Sequence, residues 1–267
     1  MELKDKVIVV TGGTGILGAS FVQAIAAAGG SVCILGRNLQ VAEERAQAIN
    51  NAGGKALAVQ ADVLQEADLE KACDKILQHF GRIDGLVNGA GGNMPEGVLQ
   101  PDQDIFQMSM EGMKRVTDLN LWGTIIPTQI FGRVIAKGGG GSIVNISSMS
   151  AQRAITKVLG YSLGKTAIDC YTKWFAVEVA NRYGDAIRMN AIAPGFFLTE
   201  QNRQLLTQPD GSLTERGNLV VKNTPYKRFG QAEELNGALI FLLSEASRFV
   251  TGTIINVDGG FSVFSGV

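Results

Sequence analysis

Three residues of this 267-residue chain, Ser148, Tyr161 and Lys165, have side chains and a separation suited to acting as one chemical group. Tyr161 and Lys165 stand four apart in a segment with helical patterning, so their side chains share one helix face. Ser148 closes a short apolar run just upstream. A phenol ionises near pH 10, and bringing it to neutrality takes about 4 kcal/mol of preference for the phenolate. An ammonium one turn away can supply much of that. Ser148 would hold a carbonyl oxygen while Tyr161 gives or takes its proton, the acid-base half of hydride exchange between a carbonyl and an alcohol. A Tyr and a Lys at this spacing also arise on helices with no such role, so the surrounding elements have to decide.

Thr11-Gly12-Gly13-Thr14-Gly15-Ile16-Leu17-Gly18 follows directly on the apolar run Lys6 to Val10 and leads into an apolar helical segment. Strand, glycine turn and helix start together let backbone amides and a helix N-terminus approach a pyrophosphate. Sites of this kind that prefer NAD usually carry an acid at the end of the second strand. Here that place reads Leu35-Gly36-Arg37-Asn38. Gly36 leaves room and Arg37 offers a fork to a 2′-phosphate, so NADP(H) is favoured and NAD(H) remains possible. Asp62 could accept a bond from an adenine amino group or cap the next helix. Asn88-Gly89-Ala90-Gly91 keeps small residues beside the cofactor plane, or forms a structural turn.

The elements that would position these groups alternate. Strand candidates run over Lys6 to Val10, Ser31 to Leu35, Lys55 to Gln60, Leu86 to Asn88, Ser142 to Ile146, Ile187 to Ile192 and Thr253 to Val257. Helix candidates lie near 15–28, 39–52, 66–80, 111–137, 161–183 and 232–244. Strands such as VIVV and SIVNI are apolar throughout, which predicts a sheet covered on both faces. The fold expected is a single-domain α/β Rossmann fold over residues 1–267, a doubly wound parallel seven-stranded sheet with helices on both faces. The stretch from about 196 to 224 reads as a long, irregular substrate-loop insertion after a strand's carboxyl end.

Composition narrows the chemistry. Lys and Arg total 24 against 25 acidic residues, so no net field favours nucleic acid or an anionic membrane surface. With one histidine, His79, zinc-hydrolase and Ser-His-Asp readings lose their main ligand or base, and no metal is expected. Cys33, Cys73 and Cys170 are widely spaced in apolar segments and suit a reducing compartment. The opening MELKDKVIVV carries no cleavable secretory pattern, and no apolar run approaches a bilayer span, so a cytoplasmic protein is expected.

Taken in order, these motifs resemble the short-chain dehydrogenase/reductase family over essentially the whole chain. The resemblance includes the glycine loop, Asp62, Asn88-Gly89-Ala90-Gly91, Asn120 in Leu119-Asn120-Leu121, Asn145-Ile146-Ser147-Ser148, the Tyr161 and Lys165 pair, and Pro194-Gly195 followed by Thr199. It implies that Asn120 helps organise a proton-relay water, Ser148 positions the carbonyl, Tyr161 is the general acid or base, and Lys165 also binds the nicotinamide ribose. The cofactor set it implies is Gly12, Thr14, Gly15, Leu17, Gly18, Arg37, Asn38, Asp62, Val63, Asn88, Ala90, Gly91, Tyr161, Lys165, Pro194, Gly195, Phe197 and Thr199. It also implies a homotetramer packed through the helices near 111–137 and 161–183. Two departures stand out: Ile16 occupies a usual glycine position, with Gly15 one place earlier, and Gly89 replaces an asparagine.

A narrower resemblance, carried by Ser147 to Ala151, Thr156-Lys157, Ala193 to Phe197, Thr199 to Arg203 and Val257 to Ser262, points to sugar-acid members of that family, of the D-mannonate oxidoreductase or fructuronate reductase type. A polyhydroxy acid needs a cation for its carboxylate and amides for its hydroxyls. Arg153 and Lys157 lie between Ser148 and Tyr161, and Asn93, Gln201, Asn202 and Arg203 could line the pocket from neighbouring loops. Phe196, Phe197 and Leu198 keep a 3-oxoacyl or general carbonyl reductase open as the alternative. A non-catalytic cofactor-binding regulator on the same fold is the other.

Overall fold

The structure, a computed structural model, describes residues 1–266, with the backbone alone at Glu200, Gln201 and Gln204. Among the described residues the apolar runs form β1 (Val7–Thr11), β2 (Ser31–Gly36), β3 (Lys55–Gln60), β4 (Gly85–Asn88), β5 (Gly141–Ile146), β6 (Ile187–Pro194) and β7 (Ile254–Val257). They make one parallel sheet in the order β3-β2-β1-β4-β5-β6-β7. The fold is a single-domain Rossmann arrangement.

Alternation along the strands divides the core in two. Ile8 and Val10 of β1 pack with Val32, Ile34, Val87 and Val144 under α1 (Ile16–Ala27), α2 (Leu39–Asn51) and, near the other edge, α8 (Asn236–Leu243). Val7 and Val9 face the opposite way, with Cys33, Leu35, Leu86 and Ile143, under α3 (Glu66–Phe80), α4 (Met110–Lys137) and α5 (Leu159–Tyr183). Strands buried on both faces carry few polar positions, which is why β1 and most of β2 read as continuous apolar runs. The helices start on local signals: Asn38 accepts from Val41 N at 3.2 Å and Ser109 from Gly112 N at 3.0 Å.

Two expectations are corrected. The segment after β6 is not irregular: it holds α6 (Glu200–Leu206) and α7 (Glu215–Asn223). Both helices are short and bury few side chains, Leu206, Gly217 and Val220 among them, so no long apolar period marks them. The helix expected near 232–244 begins as a tight 3₁₀ turn at Ala232–Leu235 before α8.

The chain runs outward from β1 to β3 and returns to β4, so the direction of winding reverses between β1 and β4. Crevices that bind ligands form at such a point, outside the carboxyl ends of the strands. Here the loops after β1 and β4 press together. Gly12 has φ +66°, and a Cβ there would lie 2.7 Å from Ala90 N and from the Gly89 carbonyl. A Cβ on Gly18 would meet the Gly12 carbonyl oxygen at 2.2 Å, so α1 packs directly on the loop. Gly15 is different: the nearest atom to a Cβ there is Gly12 O at 3.4 Å, and its φ of −80° suits any residue.

Gly18→Ala should therefore lower stability by about 1 to 3 kcal/mol through overpacking, while Gly15→Ala stays within about 0.5 kcal/mol of the parent. Urea unfolding of the two variants checks this; equal midpoints would contradict the packing account.

Candidate active site

Lys165 anchors the site. It is buried on α5, and its Nζ donates to the Ile146 carbonyl at 2.7 Å, tying the helix to the end of β5 two residues before Ser148. One helical turn earlier, Tyr161 presents its ring to the same ammonium, with Nζ 5.6 Å from the ring centroid. The Ser148 hydroxyl faces the Tyr161 phenol across the floor of the site. Ser148 in turn accepts from Ser150 N at 3.2 Å and Ser150 Oγ at 3.1 Å. The structure thus brings together the three residues read from the sequence.

The electrostatics differ from the sequence expectation. Burial pushes the Tyr161 hydroxyl above its ordinary value, and the neighbouring Ser148 hydroxyl only partly opposes this. The Lys165 ammonium, 5.6 Å from the ring centroid, does not outweigh this burial in the free site. Tyr161 therefore rests as a proton donor. Lys165 itself is brought down to about 8 by desolvation, against the pull of Asp169 one turn along α5. Asp169 is also buried, which raises its carboxyl, while the Ser147 hydroxyl that donates to it holds it down.

Asn120 of α4 is fully buried and does not reach the cavity wall. Its amide donates to Gly92 O at 2.7 Å and Val116 O at 2.8 Å, and its Oδ1 accepts from Gly92 N at 3.1 Å. It pins the loop after β4 beside Lys165: a Cβ on Gly91 would come within 2.7 Å of Asn120 Oδ1 and 3.2 Å of Lys165 Nζ.

The glycine loop fits a dinucleotide phosphate. Gly15 precedes α1 with no side-chain cap, and the first turn has no acidic residue, so its amides are left for an anion. Arg45 of α2 holds the loop from beneath, donating to Gly13 O at 2.5 Å and Gly15 O at 2.8 Å. Nothing in the local sequence marks Arg45, since its partners lie some thirty residues away. Gly36 does not provide the expected room for a 2′-phosphate, because the Thr14 side chain fills it: a Cβ at Gly36 would lie 2.5 Å from Thr14 Oγ1. Arg37 is exposed at the end of β2. Asn38 is engaged as the α2 cap, and Asp62 Oδ1 accepts from Leu64 N at 3.0 Å.

Two cofactor candidates face the core instead. Asn88 donates to Thr128 Oγ1 at 2.9 Å and Asn145 Oδ1 at 2.8 Å inside the sheet's α4-α5 face, so its side chain is not at the cofactor surface. Val63 is buried where a Cβ on Gly123 would touch it at 3.0 Å. Phe197 is mostly buried, with its ring over Gly230, and still lines the cavity. Leu17, Gly91, Pro194, Gly195 and Thr199 do line the cavity, while Ala90 packs at its back with the second core cluster.

That cavity, about 620 Å³, opens above Ser148 and Tyr161. Asn93 and Asn202 are on its wall, but Asn202 spends its amide holding Thr199 N and Phe197 O, both at 2.8 Å. Arg153 and Lys157 are not on the wall. Arg153 is exposed, with Nε donating to Ser262 O at 2.6 Å, and Lys157 sits at a turn with φ +75°. Arg203 is exposed on α6 and also off the wall, and the Gln201 side chain lies outside the described residues. The sequence reading missed Arg216 of α7, which does line the cavity.

Known proteins resemble this chain in sequence and in fold. The family model described as enoyl-(acyl carrier protein) reductase matches residues 14–262. The oxidoreductase UxuB of Bacillus subtilis (strain 168), itself uncharacterized, is 42% identical, over 100% of this chain and 98% of that one. Among solved structures, a Haemophilus influenza protein provisionally described as a D-mannonate oxidoreductase, with bound NAD, has a TM-score of 0.91 at 40% identity, covering 100% of this chain and 98% of its own. A gluconate 5-dehydrogenase from Burkholderia cenocepacia J2315, in complex with NADP and tartrate, has a TM-score of 0.85 at 32% identity, covering 98% and 96%. The chain belongs to the short-chain dehydrogenase/reductase family and is an NAD(P)-dependent oxidoreductase.

The Lys165 environment gives a signed pH effect. Reductive kcat/KM should hold below pH about 8 and fall above it as the ammonium is lost. Asp169→Asn removes the charge that favours the ammonium, so the falling limb should move to lower pH; a limb that stays or moves upward would show that Lys165 does not set it.

Proposed function

We propose that this enzyme interconverts a keto group and a secondary alcohol on an open-chain sugar acid such as D-fructuronate and D-mannonate. The supporting observation is the wall of the cavity over Ser148 and Tyr161: among the described residues its charged side chains are the cations Lys165 and Arg216. An anionic substrate meets no buried repulsion there, and the Asn93 amide and the Ser148 hydroxyl on the wall suit hydroxyl groups. The sugar-acid proteins among its structural relatives support the same reading.

In reduction, Ser148 donates a hydrogen bond to the substrate carbonyl oxygen. A bound nicotinamide dinucleotide supplies the hydride. Tyr161, resting as the neutral phenol, gives its proton to the oxygen as negative charge develops there. Lys165 stabilises the phenolate left behind and stands where it can bond a ribose hydroxyl. In oxidation the proton returns by the same path. Gly12, Thr14, Gly15, Leu17 and Gly18 would hold the diphosphate, and Gly91, Pro194, Gly195 and Thr199 the nicotinamide end. Asn120 would act by fixing Gly92.

Arg37 favours NADP(H), since the end of β2 offers a guanidinium and no acid. Three unpaired cysteines suit a cytoplasmic enzyme. A second substrate reading, a 3-oxoacyl or general carbonyl reductase, is favoured by the apolar stretch of wall at Met94, Val98, Ile155 and Leu205.

Nicotinamide absorbance with keto sugar acids, acyl thioesters and simple ketones, each with NADPH and NADH, tests these choices. Turnover should be highest on a keto sugar acid, Tyr161→Phe should lose at least 100-fold in kcat while still binding cofactor, and Arg37→Ala should erase the NADPH preference. Turnover confined to thioesters or simple ketones would reject the sugar-acid reading.

Assembly follows from the exposed Trp122 of α4 and Leu163, Trp174 and Val177 of α5, large apolar side chains on two helices packed side by side. A homotetramer using these faces is the arrangement we propose. Light scattering should give four chains per particle, and Trp174→Glu should lower that number; a monomeric parent would refute it.

A further inference from the structure

We infer that Arg216 is the carboxylate anchor of the substrate site and sets the distance between the acid group and the carbon that reacts. The inference deepens the sugar-acid reading and rests on it.

Arg216 is held in place by its own element. It is the second residue of α7, and the next residue, Gly217, packs so tightly that a Cβ there would lie 2.1 Å from Leu206 O of α6. Thr214 fastens the same corner, donating to Leu205 O at 2.7 Å and accepting from Gly217 N at 3.0 Å. An isolated bridge between Thr207 and Leu213 closes the α6-α7 turn. The guanidinium therefore leaves a closely packed pair of helices toward the cavity, and it is partly buried there.

Its bonds in the protein are weak and neutral. One terminal nitrogen donates to Thr156 Oγ1 and the other to Thr156 O, both at 3.2 Å. No carboxylate partner faces it among the described residues. A guanidinium presents five N–H donors in a planar fork matched to a carboxylate, and two long bonds to a threonine leave that fork underused. Thr156 belongs to the loop joining Ser148 to Tyr161, so Arg216 is tied to the segment that carries the reacting groups. A substrate held at Arg216 by its carboxylate and at Ser148 by its carbonyl oxygen spans the cavity from α7 to the end of β5. Lys165 is not placed as this anchor: it sits beneath Tyr161 with one donor on Ile146 O and its remaining donors toward the phenol and the ribose.

The ligand class is thus a keto or hydroxy acid whose carboxylate is separated from the reacting carbon by a chain, rather than a 2-oxo acid with the two groups adjacent. The matched probes are D-fructuronate and D-fructose, which differ in a carboxylate against a hydroxymethyl group. Arg216→Gln should raise KM for D-fructuronate roughly 10- to 100-fold with kcat changed far less, and leave KM for D-fructose as it was. Arg216→Lys should recover part of the loss. Unaltered cofactor binding in both variants establishes that they fold. Inhibition by tartrate gives a readout independent of the substrate: it should weaken in Arg216→Gln. If the parent reduces D-fructuronate and Arg216→Gln does so with unchanged KM, or if both sugars suffer equally, the anchor is refuted while the sugar-acid reading stands. If the parent reduces only uncharged carbonyls, the sugar-acid reading falls; persistent tartrate inhibition in Arg216→Gln would then refute the anchor as well, and its loss would retain Arg216 as an anion site.

Discussion

A single buried charge organises the centre of this protein. Lys165 lies under the sheet's carboxyl edge, and an ammonium there costs several kcal/mol unless it is well bonded. Its bond to Ile146 O and the nearby Asp169 carboxylate supply the compensation. Because Ile146 ends β5, the bond fixes the register of α5 against the sheet. That register places Tyr161 one turn up, at the hydroxyl of Ser148. A shift of one residue along α5 would turn Lys165 by about 100° and leave the charge without its acceptor.

A second layer of buried polar groups stabilises the same place from behind. Asn88 reaches Thr128 and Asn145, and Asn145 reaches Thr172 at 2.9 Å, so β4, β5, α4 and α5 are joined by side chains within the apolar core. The donors of this network are paired, and it specifies one arrangement because any slip would leave them unpaired where water cannot reach. Asn120 plays a similar part for the loop after β4. Asn88 and Asn120 were expected from the sequence beside the cofactor and its water. Their bonds within the protein also hold in place the elements around that site.

The loop after Ser148 is fixed from the far end of the chain. Gln152 and Asn256 exchange amide bonds at 3.0 and 2.9 Å, Arg153 donates to Ser262 O, and Phe261 packs edge-on against Phe196 of the cavity wall, with centroids 5.2 Å apart. Asp258 makes this possible by accepting from Gly260 N and Ser262 N, which curls the tail back over the site. Its reading as a turn residue agrees with that geometry. Arg153, by contrast, fastens the tail, which accounts for a cation so near Ser148 that does not face the cavity.

The sheet, the glycine turn and the grouping of Ser148, Tyr161 and Lys165 were all legible in the amino-acid sequence. Each of these is local or periodic: apolar runs buried on two faces, glycines where backbones touch, and two side chains one helical turn apart. What depends on contacts between distant segments emerged only when the chain was folded. Arg45 meets the glycine loop across thirty residues, Thr14 occupies the space beside Gly36, and Arg216 reaches the cavity from helices too short to leave a period in the sequence. The protonation of Tyr161 belongs with these, because desolvation is a property of the enclosing fold. The spacing of Tyr161 and Lys165 placed a charge near a phenol, and only burial fixed which way the phenol would move.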